Sequence, residues 1–504
     1  MHSIEPSFEE FSALASGPRA ASVVPVSREI LADALTPVVA YATVGDGVGS
    51  YLLESVVGGE KWARYSFVGF EPDLIVRGVG DRYEEERPDG LRVRTVSDPW
   101  AALRETLALY KPPSAPGVPW LPRFWGGAVG YVSYDAVRRF EPTVNGRHKL
   151  AADDCQFAFA VSGTLLIFDN LKHTLRIVVN ARIDEHEDLR DLYDAAVARI
   201  DAAQTRLASP ARLRTLPAPR KDREIVVPPS SFDRAGYCAA VETCKEHIRA
   251  GDIFQVVLSQ RLRVPSAGVD PFDVYRALRV INPSPYMYFL RFGHVRIAGA
   301  SPEVMVRVDH GRAELRPIAG TRPRGKDAED DARIERELFS DPKEIAEHVM
   351  LVDLGRNDLG RISKPGSVRV TERMVAERYS HVMHITSNVQ GELAEGRDAI
   401  DVLRATFPAG TLSGAPKVRA MQIIEELEPA PRGVYGGAIG YMGFDGNMDL
   451  AIAIRTVVEQ GGEMLVQAGA GIVEASQPNA EYEETLSKAR AALAAIATAA
   501  DGQA

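Results

Sequence analysis

The sequence predicts an α+β chain rich in sheet, assembled from two copies of one unit. Three observations point there. Runs of β-branched and aromatic residues, such as CQFAFAVSGTLLIFDN and PYMYFLRFGHVRIAGASPEVMVRVD, are broken by short polar or glycine turns, as strands are. Segments of helical period lie between them; in 185–207 the apolar residues Leu189, Leu192, Ala196 and Ile200 share one face. The chain also echoes itself. Trp125-GGAVGY returns as Tyr435-GGAIGY, GFEPDLIVR (69–77) returns as GASPEVMVR (299–307), and FDN or FDG follows the first motif in each half. The echoes keep their order, which implies an internal duplication.

Taken in order, the chain divides into a half at 1–207, a Pro-rich and basic linker at 208–230, and a half at 231–504. In the first half, SREILADAL from Ser27 reads as a helix, and VVAYATV and SYLLESVV as strands, the latter ending in a Gly58-Gly59 turn. The intervening GDGVG joins two apolar runs with no helix after it, so it is a turn and not a dinucleotide-binding loop. Residues 124–140 and the two runs after them read as strands. The second half opens with a helix capped by Ser231 and closed by Gly251. Strands follow from DIFQVVLSQ onward, and 371–393 includes another. RDAIDVLRATFP and GAPKVRAMQIIEELEP are helical. Residues 436–473 read as three strands, and a helix from Glu481 to about Ala500, with Asn479 as its N-cap, closes the chain.

Composition narrows the function. With 504 residues, 45% hydrophobic and 25% charged, the chain is an ordinary globular protein. A net charge of −10 argues against nucleic acid or an anionic membrane as partner. No apolar run nears the ~20 residues that span a bilayer, and MHSIEPSFEEF lacks the apolar core of a signal peptide. Cys155, Cys238 and Cys244 are odd in number and lack metal-type spacing. Free thiols in a cytoplasmic protein are expected.

Two acidic pairs stand out. Glu344 and Glu347 share one face of a helix that starts at Asp341-Pro342, with Ile345, Val349 and Leu351 predicted to bury its other faces. Glu481 and Glu484 repeat the spacing near the C-terminus. Two such helices can hold Mg²⁺ between them. The same spacing also suits solvated helices, with Glu484 paired to Lys488 at i,i+4. Arg455 sits on an apolar strand, AIAIRT, where its charge needs a carboxylate from the protein or from a ligand. Gly469-Ala470-Gly471 reads as an anion cradle of backbone N–H groups or as a simple turn.

PIAGTRPRG, AEHVMLVDLGRNDLGR, HVMHITSNVQGEL, FPAGTLSGAPKVRAMQIIEELE, YGGAIGY and QAGAGIVEASQPNAEYEET follow one another over 317–485. Together they closely resemble the chorismate-utilising enzymes, and among them the anthranilate synthase component I family. The resemblance implies two large antiparallel sheets packed as a sandwich with helices outside. It implies Mg²⁺ ligated by Glu347 and Glu484, with Glu344 and Glu481 holding its waters. Arg455 and Tyr435 would receive the enolpyruvyl carboxylate, and Gly320, Thr321, Gly469, Ala470, Gly471 and Lys488 would complete the substrate site. Glu303 would be the general acid at the departing hydroxyl, and His384 would assist loss of pyruvate. Leu52-Leu53-Glu54-Ser55, Arg64 to Phe67 and Asn282-Pro-Ser-Pro285-Tyr286-Met287 match the family's tryptophan feedback site. Ser55, Pro285, Tyr286 and Met287 would line that pocket, with Glu54 or backbone carbonyls accepting from the ammonium group. The first half lacks counterparts of the Glu-His helix, His384 and Arg455, so it is expected to serve as scaffold and ligand sensor.

Within the family, Gln255 stands where water-using relatives carry a lysine base. Ala319 replaces the lysine of aminodeoxychorismate synthases, and Thr321 fits an ammonia-using member. No cysteine sits in a G-x-C-x-G nucleophile elbow, so the resemblance implies a separate glutamine amidotransferase subunit as partner. The rival readings are aminodeoxychorismate synthase component I and a non-catalytic tryptophan-binding regulator.

Overall fold

The computed structural model describes residues 3–17, 20–56, 64–114, 118–144, 148, 154–184, 186–220, 223–293, 295–378 and 382–502. Within them the chain forms two twelve-stranded antiparallel sheets. A core including Val76, Phe157, Tyr288, Ile297 and Tyr441 draws side chains from both sheets. A second core lies under the helices Phe8–Ala15, Leu189–Leu207, Pro271–Ile281 and Pro478–Asp501, which cover one sheet. Among the described residues no helix is long and apolar enough to cross a membrane. The three cysteines are free.

The duplication is visible in the strand order. Tyr51–Glu54 pairs with Tyr286–Phe292 at the centre of one sheet, and Gly127–Val132 pairs with Ala438–Gly443 at the centre of the other. Outward from each centre the two halves add their first five strands in the same sequence. The central glycines Gly130 and Gly440 face each other, and a Cβ on either would stand 1.8 or 2.0 Å from a neighbouring carbonyl oxygen. Ion pairs repeat across the same axis. Arg104 bonds the N-cap Asp398 of one helix, and Arg404 bonds the N-cap Asp98 of its counterpart. The FDN and FDG echoes are not counterparts: Phe168 ends a strand of one sheet, whereas Phe444 follows a strand of the other. Strand–turn sequence repeats such words without common placement.

The halves differ at one hairpin. Arg82–Arg87 and Gly90–Thr95 are joined by two residues. Their counterparts, Arg312–Leu315 and Val382–Glu392, are separated by 316–381, which carry the strands Ile318–Pro323 and Arg369–Arg378 and the helices Ala328–Ser340 and Pro342–Gly360. Both sheets run through both halves, and the described linker residues 208–220 and 223–229 form no helix or strand. Arg214 pins them by pairing with Asp273 and donating to the carbonyls of Ala499 and Gly502.

Several local expectations are corrected. Ser27 lies in the strand Val23–Leu31, paired along its length with Thr174–Arg182, so long-range pairing overrides a weak helical pattern. VVAYATV is the helix Pro37–Val44, capped by Thr36 and buried on several sides; a continuous apolar run does not distinguish a buried helix from a strand. After Gly127–Val132 the chain turns helical, at Tyr134–Ala136 and Val137–Phe140. Asp233, not Ser231, caps Arg234–Arg249, and Ser231 accepts from the Arg261 N–H. Gln477 precedes the closing helix, and Asn479 lies in its first turn. Residues 436–473 form four strands, not three, split at Arg455. The Gly58-Gly59 turn lies outside the described residues.

Candidate active site

One cavity of about 730 Å³ gathers nearly every site residue named from the sequence. Four pieces of structure supply them. The closing helix presents Glu481, Glu484 and Lys488 on one face. The helix Pro342–Gly360 presents Glu344 and Glu347; Asp341 caps it by accepting from the Lys343 and Glu344 N–H groups. This helix is less buried than expected. Val349 is 39% exposed, and only His348, Leu351, Gly355, Asp358 and Leu359 are buried: the carboxylate face borders the cavity, and Val349, on the opposite side of the helix, meets solvent.

The antiparallel ladder Ile318–Pro323 with Val382–Glu392 sets Thr321 opposite His384. The strand Gln255–Pro265 lies against Glu463–Ile472, with Val257 opposite Gly471 and Ser259 opposite Gly469. Strand alternation then decides the glycine cradle. Gly469 and Gly471 face the cavity, where a Cβ would meet the Tyr435 hydroxyl at 2.9 Å and the Gln255 amide nitrogen at 2.6 Å. Ala470 points the other way, into the core with Val256 and Leu258, and does not line the cavity. Its expected place in the site is therefore corrected.

Arg455 and Glu303 occupy matching places. Arg455 sits where the chain leaves Met448–Ile452 in one sheet for Thr456–Gln460 in the other, not inside a strand. Its φ of +50° is a left-handed conformation that a side-chain-bearing residue holds only under constraint, a common mark of functional positions. Glu303 sits at the reverse crossing, between Val295–Ser301 and Val304–Asp309. Arg455 donates to Asn282 Oδ1 at 3.2 Å, and among the described residues it forms no ion pair. Burial holds its pKa below the usual value, against the pull of Glu303. A guanidinium so placed can receive an anion.

The titratable groups are tuned. Burial pushes the Glu303 carboxyl above the usual carboxylate range, against the Thr411 hydroxyl that donates to it at 3.1 Å and against Arg455. Burial lowers the His384 pKa, opposed by the Gly320 carbonyl 3.0 Å from Nδ1. A carbonyl only accepts, so Nδ1 carries the proton and Nε2 is the basic nitrogen. Thr321 Oγ1 stands 3.1 Å from the same Nδ1. Burial also raises Glu347, with the Gln255 amide opposing and Glu344 adding to the rise. It raises Glu481 too, with Ser476 opposing and Glu484 adding. Burial raises Tyr435.

Four carboxylates around one cavity are an all-oxygen donor set that suits a hard divalent cation. Two of them rise in pKa partly from a neighbouring carboxylate, a repulsion that a cation relieves. The four stand apart around the cavity wall. Glu344 pairs with Arg322 at 3.0 Å and Glu484 with Lys488 at 2.7 Å, and among the described residues no three metal-ligating groups converge. Lys488 also donates to the Gly469 carbonyl at 3.0 Å.

A second cavity, of about 400 Å³, lies where the two halves meet. Ser55, Pro285, Tyr286 and Met287 line it with Phe67, as the sequence predicts. The Glu54 carboxylate also lines the cavity, where it accepts from the Tyr275 hydroxyl and pairs with Arg279. Sequence reading missed Arg307, Tyr441 and Asp449 on the opposite wall; Tyr286 donates to Asp449 at 3.0 Å. Only the face-to-face packing of the two sheets brings them there. Pro285 lines both cavities.

Known proteins resemble this chain over most of its length. The chorismate binding enzyme family matches residues 59–494. The chain is 47% identical to anthranilate synthase component 1 of Acetivibrio thermocellus over 481 residues, covering 94% of this chain and 95% of that one. It is 49% identical to the Pseudomonas aeruginosa protein of the same name over 488 residues, covering 94% and 96%. The crystal structure of anthranilate synthase component I from Streptococcus pneumoniae superposes with a TM-score of 0.73 at 37% identity, over 92% of this chain and 99% of that one. The menaquinone-specific isochorismate synthase of Escherichia coli, at 17% identity and a TM-score of 0.67 over 97% and 99%, shares the fold. With a family match over most of its length and relatives this similar, the chain belongs to the chorismate-binding enzymes.

Proposed function

We propose that the chain is the large subunit of an anthranilate synthase, converting chorismate and ammonia to anthranilate and pyruvate. The observation that carries this reading is the convergence of Arg455, Glu303, His384 and four carboxylates on one cavity. Arg455 and the Tyr435 hydroxyl bind the enolpyruvyl carboxylate, with Gly469 and Gly471 leaving room for the ring. Glu303, whose carboxyl burial pushes above the usual carboxylate range, would give its proton to the departing allylic hydroxyl as ammonia adds to the ring. His384 Nε2 then takes the ring proton as pyruvate leaves and the ring becomes aromatic. Ala319 lines the cavity with no amine to form an adduct, and Gln255 offers no base to activate water, which favours ammonia as nucleophile. Glu347 and Glu484, with Glu344 and Glu481, would hold Mg²⁺, which when bound neutralises the ring carboxylate and draws electron density from the ring. A separate glutaminase subunit would supply ammonia.

The test is direct. Purified chain with chorismate, Mg²⁺ and an ammonium salt at alkaline pH should develop anthranilate fluorescence, and glutamine in place of ammonium should give none. Absence of the fluorescent product would overturn the reading.

The second cavity supports tryptophan as inhibitor. Pro285, Met287 and Phe67 form an apolar wall for an indole, and the pocket joins strands of both halves. A ligand favouring one arrangement of those halves shifts its population. A coupling of ~1–3 kcal/mol weakens chorismate binding about 5–150-fold. Ser55→Phe, which fills the pocket, should leave activity without tryptophan nearly unchanged and abolish inhibition. Titrating activity against tryptophan in both proteins decides it; equal inhibition places regulation elsewhere.

A further inference from the structure

Glu303 lines the substrate cavity, and its backbone is fixed on both sides. Its N–H donates to the Ser301 hydroxyl at 3.3 Å, and its carbonyl accepts from the Ile452 N–H at 3.0 Å. The carboxyl is held by a single contact. Oε2 accepts from the Thr411 hydroxyl at 3.1 Å, and among the described residues that is the carboxyl's only hydrogen bond. Oε1 bonds none of them, yet it is not one of the sealed side-chain oxygens. On this half-buried residue it is therefore the oxygen open to the cavity.

Thr411 reaches Glu303 from 108 positions along the chain. It sits in the short turn Gly410–Leu412 and itself lines the cavity. The turn is braced from outside and from within. Gly410 packs against Leu354 of the helix that carries Glu347. The Leu412 carbonyl accepts from Arg432 at 2.6 Å, and the Leu412 N–H donates to the Ala409 carbonyl at 3.0 Å. Two hydroxyls stand here and are used differently. Ser413 donates back to the Ala409 carbonyl at 3.0 Å, the local bond that a hydroxyl near a turn commonly makes. Thr411 directs its hydroxyl across the cavity wall to Glu303 instead.

We propose that Thr411 is a positioning residue for the general acid: its hydroxyl holds Glu303 Oε2 and so leaves Oε1, the oxygen open to the cavity, to carry the proton. The inference rests on the reaction proposed above, in which Glu303 protonates the departing hydroxyl. When Oε1 passes its proton to that oxygen, water leaves and the carboxylate keeps the negative charge. The Thr411 donor then stabilises that charge, as a hydrogen bond to an ionised acceptor does.

The same bond sets a pH signature. A donor to the ionised form holds the Glu303 pKa down against burial, alongside the cations Arg455 and Lys488, with Tyr435 the neighbouring titratable hydroxyl. The acid acts only while protonated, so activity falls as pH rises through that pKa. Removing the hydroxyl raises the pKa and moves the alkaline limb upward.

The test follows kcat and KM for chorismate against pH in the purified chain, at a fixed concentration of free ammonia. In Thr411→Val kcat should fall roughly tenfold or more, with KM for chorismate nearly unchanged. Its alkaline limb should rise by about one pH unit. Thr411→Ser, which keeps the hydroxyl, should restore both. An unmoved limb, a wild-type kcat, or a loss confined to KM overturns the proposal, the last by making Thr411 a substrate contact. If Thr411→Val does not fold, Thr411→Ala is read in the same way. Should the wild type form no anthranilate, the reaction reading fails, while the Thr411–Glu303 bond is still judged by carbon-13 NMR titration of the glutamate carboxyls. The Glu303 signal, assigned by its loss in Glu303→Gln, should titrate at higher pH in Thr411→Val than in wild type or Thr411→Ser. Equal midpoints overturn the bond's role.

Discussion

Glu347→Gln should lower turnover by roughly a thousandfold or more, because several kcal/mol of transition-state charge stabilisation is expected to depend on the cation its carboxylate helps to hold. Glu484→Gln should do the same. Anthranilate fluorescence over a range of Mg²⁺ concentrations reads the effect, and wild-type activity in either variant would remove these residues from the metal site. Stability should move the other way. Burial raises the folded pKa of Glu347, so ionisation costs the folded state. Below the unfolded carboxylate pKa of ~4.3 both states are protonated and the cost is absent. As pH rises through the folded pKa the cost appears and stability is lost. Without Mg²⁺, Glu347→Gln should therefore melt above wild type at neutral pH, and the gap should close on acidification. A lower Tm for the variant at neutral pH would show that the carboxylate is held by contacts that outweigh its desolvation.

His384→Met should lower anthranilate output about 10²–10⁴-fold, the usual contribution of a positioned proton-transfer group. The loss should fall on pyruvate elimination and spare ammonia addition. Glu303, at the other crossing of the sheets, still protonates the departing hydroxyl, so an aminated ring that keeps its enolpyruvyl group should accumulate. Mass analysis of the reaction mixture detects it. Output equal to wild type would make His384 structural. The depressed pKa of His384 sets a pH signature as well: on acidification, elimination should begin to slow at a lower pH than the titration of a free imidazole.

Local chemistry made much of this protein legible. Asp341-Pro342 predicts the start of the helix that carries Glu344 and Glu347, because an N-cap and a proline in the first turn are local devices. The GGAVGY and GGAIGY echo predicts a duplication, because only glycine lets the two central strands cross so closely. The four carboxylates are visible by their spacing and Arg455 by its charge in an apolar run, whereas Glu303 and His384 are legible only through the family resemblance.

What no local pattern holds is partnership. Ser27 is in a strand because Thr174–Arg182, far along the chain, offers it a ladder. VVAYATV is a helix because its surroundings bury it on several sides. Ala470 leaves the site because strand alternation in a fixed register turns it to the core, and Arg455 leaves its predicted strand because the chain changes sheets there. The sequence by itself determined the family motifs, the duplicated unit and the chemical groups of the site. The tertiary structure alone decided which groups meet, since register, sheet crossing and the pairing of the two halves are set by contacts between residues hundreds of positions apart, where burial and hydrogen-bond satisfaction outweigh the weak preferences of each segment.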